Sequence, residues 1–340
     1  MTGARHGASS RTLTVALVVV ALVLLVTAGV LGTRLLRDDD ASSLPSPVPV
    51  PPAGTAYFGT EFSASLADRA TLVQQQERQL GRQFDIEHVY HKFDEPFPSD
   101  YDRTTVSEGR TLFLTWSCSL AQGGSLKWQD VASGQWDDVI DQRARDVKAL
   151  GQPVLMSFCH EPGGHPTSSG SPSDYVAAWR HIVERFRQDG ATNIAWVWTL
   201  TAYSFRTGAA GDYFPGDEWV SWVGVDGYTN IACPWLTTGW TSWNGVFGAA
   251  NAFARAHGLP LIVAEFSLRE DPAQPDRKGQ WLASSLTEMR AMSQLRAVVA
   301  FNSTSSCSSY VVSSPQSLAG YRTLARSSFF DARPADEPSR

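Results

Sequence analysis

Two glutamates stand at the ends of buried hydrophobic runs, and these are the residues of the sequence with the clearest chemical meaning. Glu161 follows the run PVLMSF in the segment SFCHEPGG, and Glu265 lies in the run PLIVAEF. A carboxylate in such a place is costly to bury unless it is paired or functional. A single one is often a salt-bridge partner, but two of them suit glycosidic bond hydrolysis. One carboxyl group would protonate the leaving oxygen while the other attacks the anomeric carbon.

Other polar and aromatic side chains at the ends of such runs are candidates for binding a sugar. His160 precedes Glu161, and Tyr228 ends the run WVGVDGY, where its hydroxyl could hold a nucleophilic carboxylate. Indole faces suit the apolar faces of sugar rings, although tryptophan also fills protein cores. The tryptophan candidates are Trp116, Trp198 and Trp235. His91 and Asn302 also end runs, but there a polar residue more often caps a strand.

Eight short apolar runs alternate with amphipathic stretches between residues 56 and 330, and this pattern predicts the elements that position the two glutamates. The predicted strands are 56–62, 84–91, 111–116, 153–158, 193–199, 222–228, 260–266 and 296–302. The predicted helices are 64–81, 136–150, 175–186, 246–257, 281–295 and 318–324. Alternating strands and helices imply a parallel sheet, and eight units at this length predict an α/β fold of the (β/α)8 TIM-barrel type. A doubly wound sheet is the alternative, but no dinucleotide or phosphate loop motif supports it. Barrel chemistry lies at the carboxyl ends of the strands.

The N-terminal region predicts a membrane anchor. No charged residue occurs between Arg11 and Arg34, and that length of apolar chain can cross a bilayer as a helix. The stretch could instead be a cleaved signal segment, in which case the domain would be secreted. The alternating prolines that follow favour an extended stalk. The predicted regions are 1–11 as a cytoplasmic N-terminus, 12–36 as the transmembrane anchor or signal segment, 37–55 as a proline-rich linker, 56–330 as the folded domain and 331–340 as a disordered tail. The domain would then lie outside the cell membrane.

Charge and cysteine content exclude several classes of function. The net charge of −6 is mild and no basic stripe occurs, which excludes nucleic acid as a partner. The four cysteines form no C-x-x-C pair, so a zinc or thioredoxin-like centre is not expected, and the chemistry requires no metal or organic cofactor. They are Cys118, Cys159, Cys233 and Cys307. Export would permit disulfides, with three full pairings open, and buried free thiols are the alternative. We expect a monomer.

Four ordered segments resemble glycoside hydrolase family 26 of clan A. They are HEPGG, DYVAAWRHIVERFRQDGATNIAWVWT, YFPGDEWVSWVGVDGYT and LIVAEFS, and the resemblance runs from Tyr57 to Phe330. The family contains mainly β-mannanases, with some β-1,3-1,4-glucanases and xylanases. It implies a (β/α)8 barrel and a retaining double displacement, with Glu161 as acid/base and Glu265 as nucleophile. It further implies that His160 contacts the substrate or positions the acid, and that Tyr228 hydrogen-bonds the nucleophile.

Three loops depart from the family pattern, and they bear on the substrate. Members often carry a tryptophan after the His-Glu motif, but this chain continues Pro-Gly-Gly-His-Pro over 162–166. The loop after strand three reads Trp-Ser-Cys, and the loop after strand eight reads STSSCSSY, where members often carry other residues. The resemblance favours an endo-β-1,4-mannanase. The alternatives are a β-1,3-1,4-glucanase, a hydrolase of envelope polysaccharide, or a barrel that binds carbohydrate without cleaving it.

Overall fold

The computed structural model describes residues 46–164, 167–233, 236–304 and 309–332, and it is a closed barrel of eight parallel strands. The strands are β1 (Tyr57–Phe62), β2 (Ile86–His91), β3 (Thr111–Trp116), β4 (Val154–Phe158), β5 (Ile194–Thr201), β6 (Trp222–Thr229), β7 (Leu261–Leu268) and β8 (Leu295–Asn302). Neighbours in sequence are neighbours in the barrel, and β8 closes on β1. The predicted barrel is confirmed, and every predicted strand boundary lies within two residues of the observed one. A short antiparallel pair, Ala232–Cys233 with Leu236–Thr237, follows β6.

Helices follow the strands and cover the outside of the barrel. They are α1 (Leu66–Leu80), α2 (Asp100–Ser107), α3 (Trp128–Ala132), α4 (Asp137–Lys148), α5 (Pro172–Gln188), α6 (Ala202–Thr207), α7 (Trp243–Ala256), α8 (Arg277–Ala291) and α9 (Pro315–Ala325). Helix α5 begins with a capping box, in which Ser171 and Asp174 satisfy each other's backbone amides. The sequence did not predict α2, α3 and α6, because helices of eight residues or fewer show too little periodicity.

Side chains inside the amino-terminal end of the barrel form an apolar layer that we call the floor. Its members include Ile86, Phe113, Leu155, Val197, Trp222, Ile262, Val299 and Val48. Val48 belongs to the stretch predicted as a stalk, yet its side chain is only 1% exposed. The Trp222 indole donates to Ser46 Oγ at 2.9 Å, and the Tyr57 hydroxyl donates to the Pro49 carbonyl at 2.9 Å. The chain from residue 46 onward therefore packs against the barrel and closes the floor.

Strand β7 carries one more residue than its two neighbours at the level of Ala264. Val263 pairs with Val225 of β6, but the next pair joins Glu265 to Asp226. Against β8 the register shifts at the same place. A bulge of this kind re-aims the side chains that follow it. Ala264 and Glu265 consequently both face the barrel interior.

Within the described residues, no helix is long and apolar enough to cross a bilayer. The predicted transmembrane segment 12–36 lies outside the described residues. So does the tail from residue 333 onward. Both assignments stay predictions.

Candidate active site

The carboxyl ends of the strands form the open end of the barrel, which we call the mouth, and Glu265 is buried there on β7. Its side chain is 5% exposed. The hydroxyl of Tyr90, from β2, donates to Glu265 Oε1, and the hydroxyl of Tyr228, from β6, donates to Oε2. Burial raises the pKa of Glu265, and these two hydrogen bonds oppose that rise because they stabilise the charged form. Both carboxylate oxygens are therefore held in fixed positions, as a nucleophile requires.

Glu161 lies just beyond β4, on the opposite side of the mouth. Its backbone nitrogen donates to the Thr199 carbonyl of β5 at 2.9 Å, and its carbonyl accepts from Gly164 at 2.8 Å. Burial, and then the charge of Glu265, raise the pKa of Glu161 to about 8. A carboxyl group with this pKa carries its proton at neutral pH and can donate it to a leaving group.

A disulfide anchors the loop that carries Glu161. Cys159 is bonded to Cys118, from the loop after β3, and the Cys159 amide donates to the Trp116 carbonyl at 2.8 Å. Cys159 and Glu161 both have positive φ angles, 47° and 51°, which non-glycine residues adopt at a cost of about 1–2 kcal/mol each. Such strain persists only where the surroundings impose it, and it is common at functional sites. The disulfide is one of the pairings that the sequence left open, and it supplies such a constraint here.

Two further carboxyl groups, Glu61 of β1 and Asp226 of β6, lie beside Glu265. Both side chains are buried, at 1% and 2% exposure, and none of their carboxyl oxygens has a hydrogen-bond partner among the described residues. Burial raises the pKa of each well above its ordinary value, and the charge of Glu265 raises it further. Burial therefore favours the neutral form of both groups. Glu265 differs from them because two tyrosine hydroxyls stabilise its charged form.

Two histidines complete the inner wall of the mouth. The His160 ring lies 5.5 Å from the Tyr90 ring, so the residue before Glu161 reaches the side chain that holds Glu265. His88 Nε2 lies 2.7 Å from Thr115 Oγ1 one layer deeper. Burial, and then the neighbouring His160, lower the pKa of His88 well below its ordinary value. His88 therefore contributes a neutral ring.

The structure places two of the predicted sugar-binding tryptophans in the core. Trp116 and Trp198 are fully buried, because their positions on β3 and β5 face the helices. The Trp116 ring stacks on Phe93 at 4.5 Å, and Trp198 packs among phenylalanines with its indole donating to the Tyr213 carbonyl at 3.1 Å. Neither can offer a face to a sugar, so these two predictions are wrong. Trp235 lies outside the described residues.

His91 and Asn302 both contact other protein groups outside the mouth. His91 Nε2 lies 2.8 Å from Asp102 of α2. The Asn302 amide donates to the Glu61 carbonyl at 3.0 Å, and its oxygen accepts from Val311 at 2.8 Å. The bonds of Asn302 agree with its interpretation as a polar cap, whereas His91 Nε2 lies beside Asp102 without a hydrogen bond to a described residue.

Sequence reasoning missed Tyr90 and Glu61 as members of the site. Both lie near the ends of predicted strands, in the runs FDIEHVYH and AYFGTEF. Successive side chains of a strand point to opposite faces of the sheet. The residue just before a strand end that faces the helices, as Tyr90 and Glu61 are, therefore faces the barrel interior. No group of three or more histidine, cysteine or acidic side chains within the described ranges is arranged to hold a metal ion.

Comparisons with known proteins agree with this geometry. Residues 127–258 match the model of glycosyl hydrolase family 26. Endoglucanase H of Acetivibrio thermocellus is 30% identical over 284 residues, which cover 78% of this chain and 29% of that protein. Beta-1,3-xylanase TXYA of a Vibrio species is 33% identical over 141 residues, covering 41% of this chain and 28% of that protein. The chain thus spans less than a third of the length of either relative.

Solved structures share the fold at lower identity. A modular endo-β-1,4-mannanase from Cellulomonas fimi superposes with a TM-score of 0.62 at 16% identity, covering 82% of this chain and 72% of that one. The catalytic domain of an endo-β-1,4-mannanase from Bacillus sp. JAMB-750 gives 0.61 at 16% identity, covering 81% and 86%. Together with the family match and the glutamates placed on β7 and after β4, these relationships lead to one conclusion: the chain belongs to glycosyl hydrolase family 26.

Proposed function

We propose that the barrel hydrolyses a β-linked polysaccharide by double displacement, with Glu265 as nucleophile and Glu161 as acid/base. The observation that carries this proposal is the unequal treatment of the two carboxyl groups. Tyr90 and Tyr228 favour the charged form of Glu265, while burial and the charge of Glu265 keep the proton on Glu161. Pairs of titrating groups whose surroundings separate their pKa values are typical of acid/base assignments.

In the first step, a carboxylate oxygen of Glu265 bonds to the anomeric carbon as the bond to the leaving oxygen breaks. Glu161 transfers its proton to that oxygen, so the departing chain leaves as a neutral alcohol. The product is a glycosyl ester of Glu265. Tyr90 and Tyr228, which held the carboxylate, now lie beside the ester.

In the second step, water attacks the anomeric carbon and Glu161, now ionised, takes up its proton. The ester bond breaks, and Glu265 leaves with the electron pair as a carboxylate. Two inversions at one carbon return the original anomer. The enzyme regains both starting protonation states.

Azide rescue of single variants tests both roles. In Glu161→Ala, azide should attack the glycosyl ester from the side of the missing acid/base and yield a β-glycosyl azide. In Glu265→Ala, azide should replace the nucleophile and yield the α-glycosyl azide. Proton NMR of the products distinguishes the two anomers, and aryl glycosides with good leaving groups make the first reaction observable. The same anomer from both variants would refute the assignment.

For the substrate, we propose a β-linked glucan as the first polymer to test, with mannan second. Curated relatives at 30–33% identity are named an endoglucanase and a β-1,3-xylanase, whereas the mannanase structures at 16% identity support only the fold. The loop after Glu161 also lacks the tryptophan frequent among family members. A reducing-sugar assay on mixed-linkage glucan, β-1,4-mannan, glucomannan, β-1,3-xylan and β-1,4-xylan ranks the candidates. Binding to one of these polymers without release of reducing ends would instead indicate a non-catalytic barrel.

We further propose that the domain works outside the cell membrane, tethered through residues 12–36 or released after cleavage there. The Cys118–Cys159 disulfide supports this location, since structural disulfides are typical of oxidising compartments. Protease treatment of intact cells should remove the domain from the membrane fraction if it is exposed on the outer side. Protection of the domain until the cells are lysed would contradict the proposal. Sedimentation of the domain released by protease can check the predicted monomeric state.

A further inference from the structure

A surface cleft lies outside the ring of catalytic side chains, between the loop after β6 and the first turns of α8. Its volume is about 340 Å³, and Trp240, Trp281, Arg277 and Gln280 line it together with hydroxyl side chains. Small-ligand sites typically measure about 300–1,000 Å³, so the cleft is large enough for one or two sugar rings. Nothing in the mechanism above uses these residues.

The indole of Trp240 is held in a fixed orientation. Its nitrogen donates to Asp271 Oδ2 at 3.2 Å, and the same carboxylate oxygen accepts from Arg277 at 3.2 Å. The Arg277 guanidinium in turn lies 4.8 Å from the centre of the Trp240 ring. One face of the indole is thereby covered by the arginine. The side chain as a whole stays half-exposed, at the edge of the cleft.

Trp281 is positioned in a comparable way from the helix side. Its indole nitrogen donates to the Thr241 carbonyl at 2.8 Å, and its ring lies 5.9 Å from the buried ring of Trp243. Both indole N–H groups are therefore satisfied within the protein, and both side chains are only partly buried. Gln280 and Ser284 are exposed beside them and offer amide and hydroxyl groups. Fixed aromatic side chains lose little conformational entropy when a ligand binds.

The cleft lies at the same end of the barrel as the mouth. Thr229, the residue after Tyr228, donates to the Gly239 carbonyl at 3.1 Å and accepts from the Thr241 amide at 2.8 Å. The loop that carries Trp240 is thus fixed directly to the end of β6. On the other side, α8 is the helix that follows β7 and Glu265.

We propose that this cleft is an accessory binding site for a β-linked polysaccharide, distinct from the point of cleavage. The class of polymer is taken from the proposed function, on which this inference rests. Half-exposed indoles pack against the apolar faces of sugar rings, and the neighbouring amide and hydroxyl groups pair with sugar hydroxyls. A long chain held here stays close to the mouth after each cleavage, which raises its effective concentration there.

The test uses the Glu265→Gln variant, which retains both the mouth and the cleft. Its affinity is measured by electrophoresis in gels that contain mixed-linkage glucan or glucomannan. Adding Trp240→Ala should raise the apparent dissociation constant about tenfold, the usual effect of truncating an aromatic anchor. Trp219→Ala is the matched control. That half-exposed indole also carries an arginine at 4.8 Å, Arg187, but it precedes β6 at the opposite end of the barrel. Melting temperatures of both variants show whether the fold is intact.

The results separate this inference from the proposed function. Equal retardation of the Trp240→Ala and Trp219→Ala proteins would overturn the accessory site, whatever the activity of the wild-type chain. If Trp240→Ala proves unstable, Gln280→Ala is the alternative variant. Its exposed side chain contributes no core packing, so the fold should stay intact while loss of the amide weakens retardation. Retardation that depends on Trp240 while the wild-type chain releases no reducing sugar from any polymer would refute the catalytic proposal and leave the binding site standing.

Discussion

The two ends of the barrel are built from the same eight strands but have opposite character. At the floor, the inward positions are aliphatic or aromatic, and Val48 from the preceding segment closes the layer. At the mouth, the inward positions carry Glu61, Tyr90, Asp226 and Glu265. The floor stabilises the fold through apolar burial, whereas the mouth keeps several carboxyl groups close together at a cost in stability. The candidate active site therefore lies at the end of the barrel where buried carboxyl groups oppose stability.

The largest effect should come from removing the hydroxyl groups that hold Glu265. We expect Tyr90→Phe with Tyr228→Phe to lower kcat/KM about 100-fold, because a hydrogen bond to a charged group contributes about 1.5–3 kcal/mol. Loss of both donors raises the pKa of Glu265, so the acid limb of the pH–rate profile should move to higher pH. Tyr101→Phe is the control, since that hydroxyl donates to Glu87 on the outside of β2. An unchanged acid limb would show that the tyrosines do not control the nucleophile.

A smaller effect should follow from cutting the disulfide behind Glu161. We expect Cys118→Ser with Cys159→Ser to lower kcat about tenfold, because small displacements of a catalytic group are costly. The basic limb of the pH–rate profile, which reports Glu161, should shift at the same time. Reductant should produce the same change in the wild-type protein and none in the double variant. A loss of thermal stability with an unaltered pH profile would show that the disulfide stabilises the fold without positioning Glu161.

The buried carboxyl groups of the mouth should also make the stability of the fold depend on pH. The pKa of Glu161 rises from an ordinary 4.5 to about 8 on folding. The protonated Glu161 therefore contributes its full share to the stability of the folded state below pH 4.5, and that share is lost as the pH rises to 8 and above. Glu161→Gln should therefore raise the melting temperature by a few degrees at pH 8 and by less at pH 5. Glu184→Gln, on the exposed face of α5, is the control, and its melting temperature should stay close to that of the wild-type chain at pH 5 and at pH 8.

The smallest effect tests the floor. Val48→Ala should lower the free energy of unfolding by about 1–2 kcal/mol, because two buried methyl groups are lost. The control is Val50→Ala, two residues along the same segment, where the side chain is 44% exposed. Chemical denaturation measures both. Identical midpoints would mean that the segment does not close the barrel in solution.

The barrel could be predicted closely from the sequence, because buried parallel strands appear as continuous apolar runs. The same continuity hides which residues face inward. Trp116 and Trp198 end such runs and point outward, while Tyr90 lies one residue before an outward-facing strand end. Alternation of polarity marks the faces of half-buried strands, and strands buried on both faces lack that signal. Glu265 was found by its charge, but the extra residue at Ala264 that re-aims it leaves no mark in the sequence.

The raised pKa values of Glu61 and Asp226 have a consequence for the polymers that the mouth would admit. Burial favours the neutral forms of Glu61, Asp226 and Glu161, whereas the two tyrosine hydrogen bonds favour the charged form of Glu265. A chain of neutral sugars meets little repulsion on approach. A uronic acid chain brings like charge toward a poorly solvated carboxylate, and added salt would screen only the outer part of that barrier. We therefore expect the carboxyl groups around Glu265 to make the mouth prefer uncharged glycans.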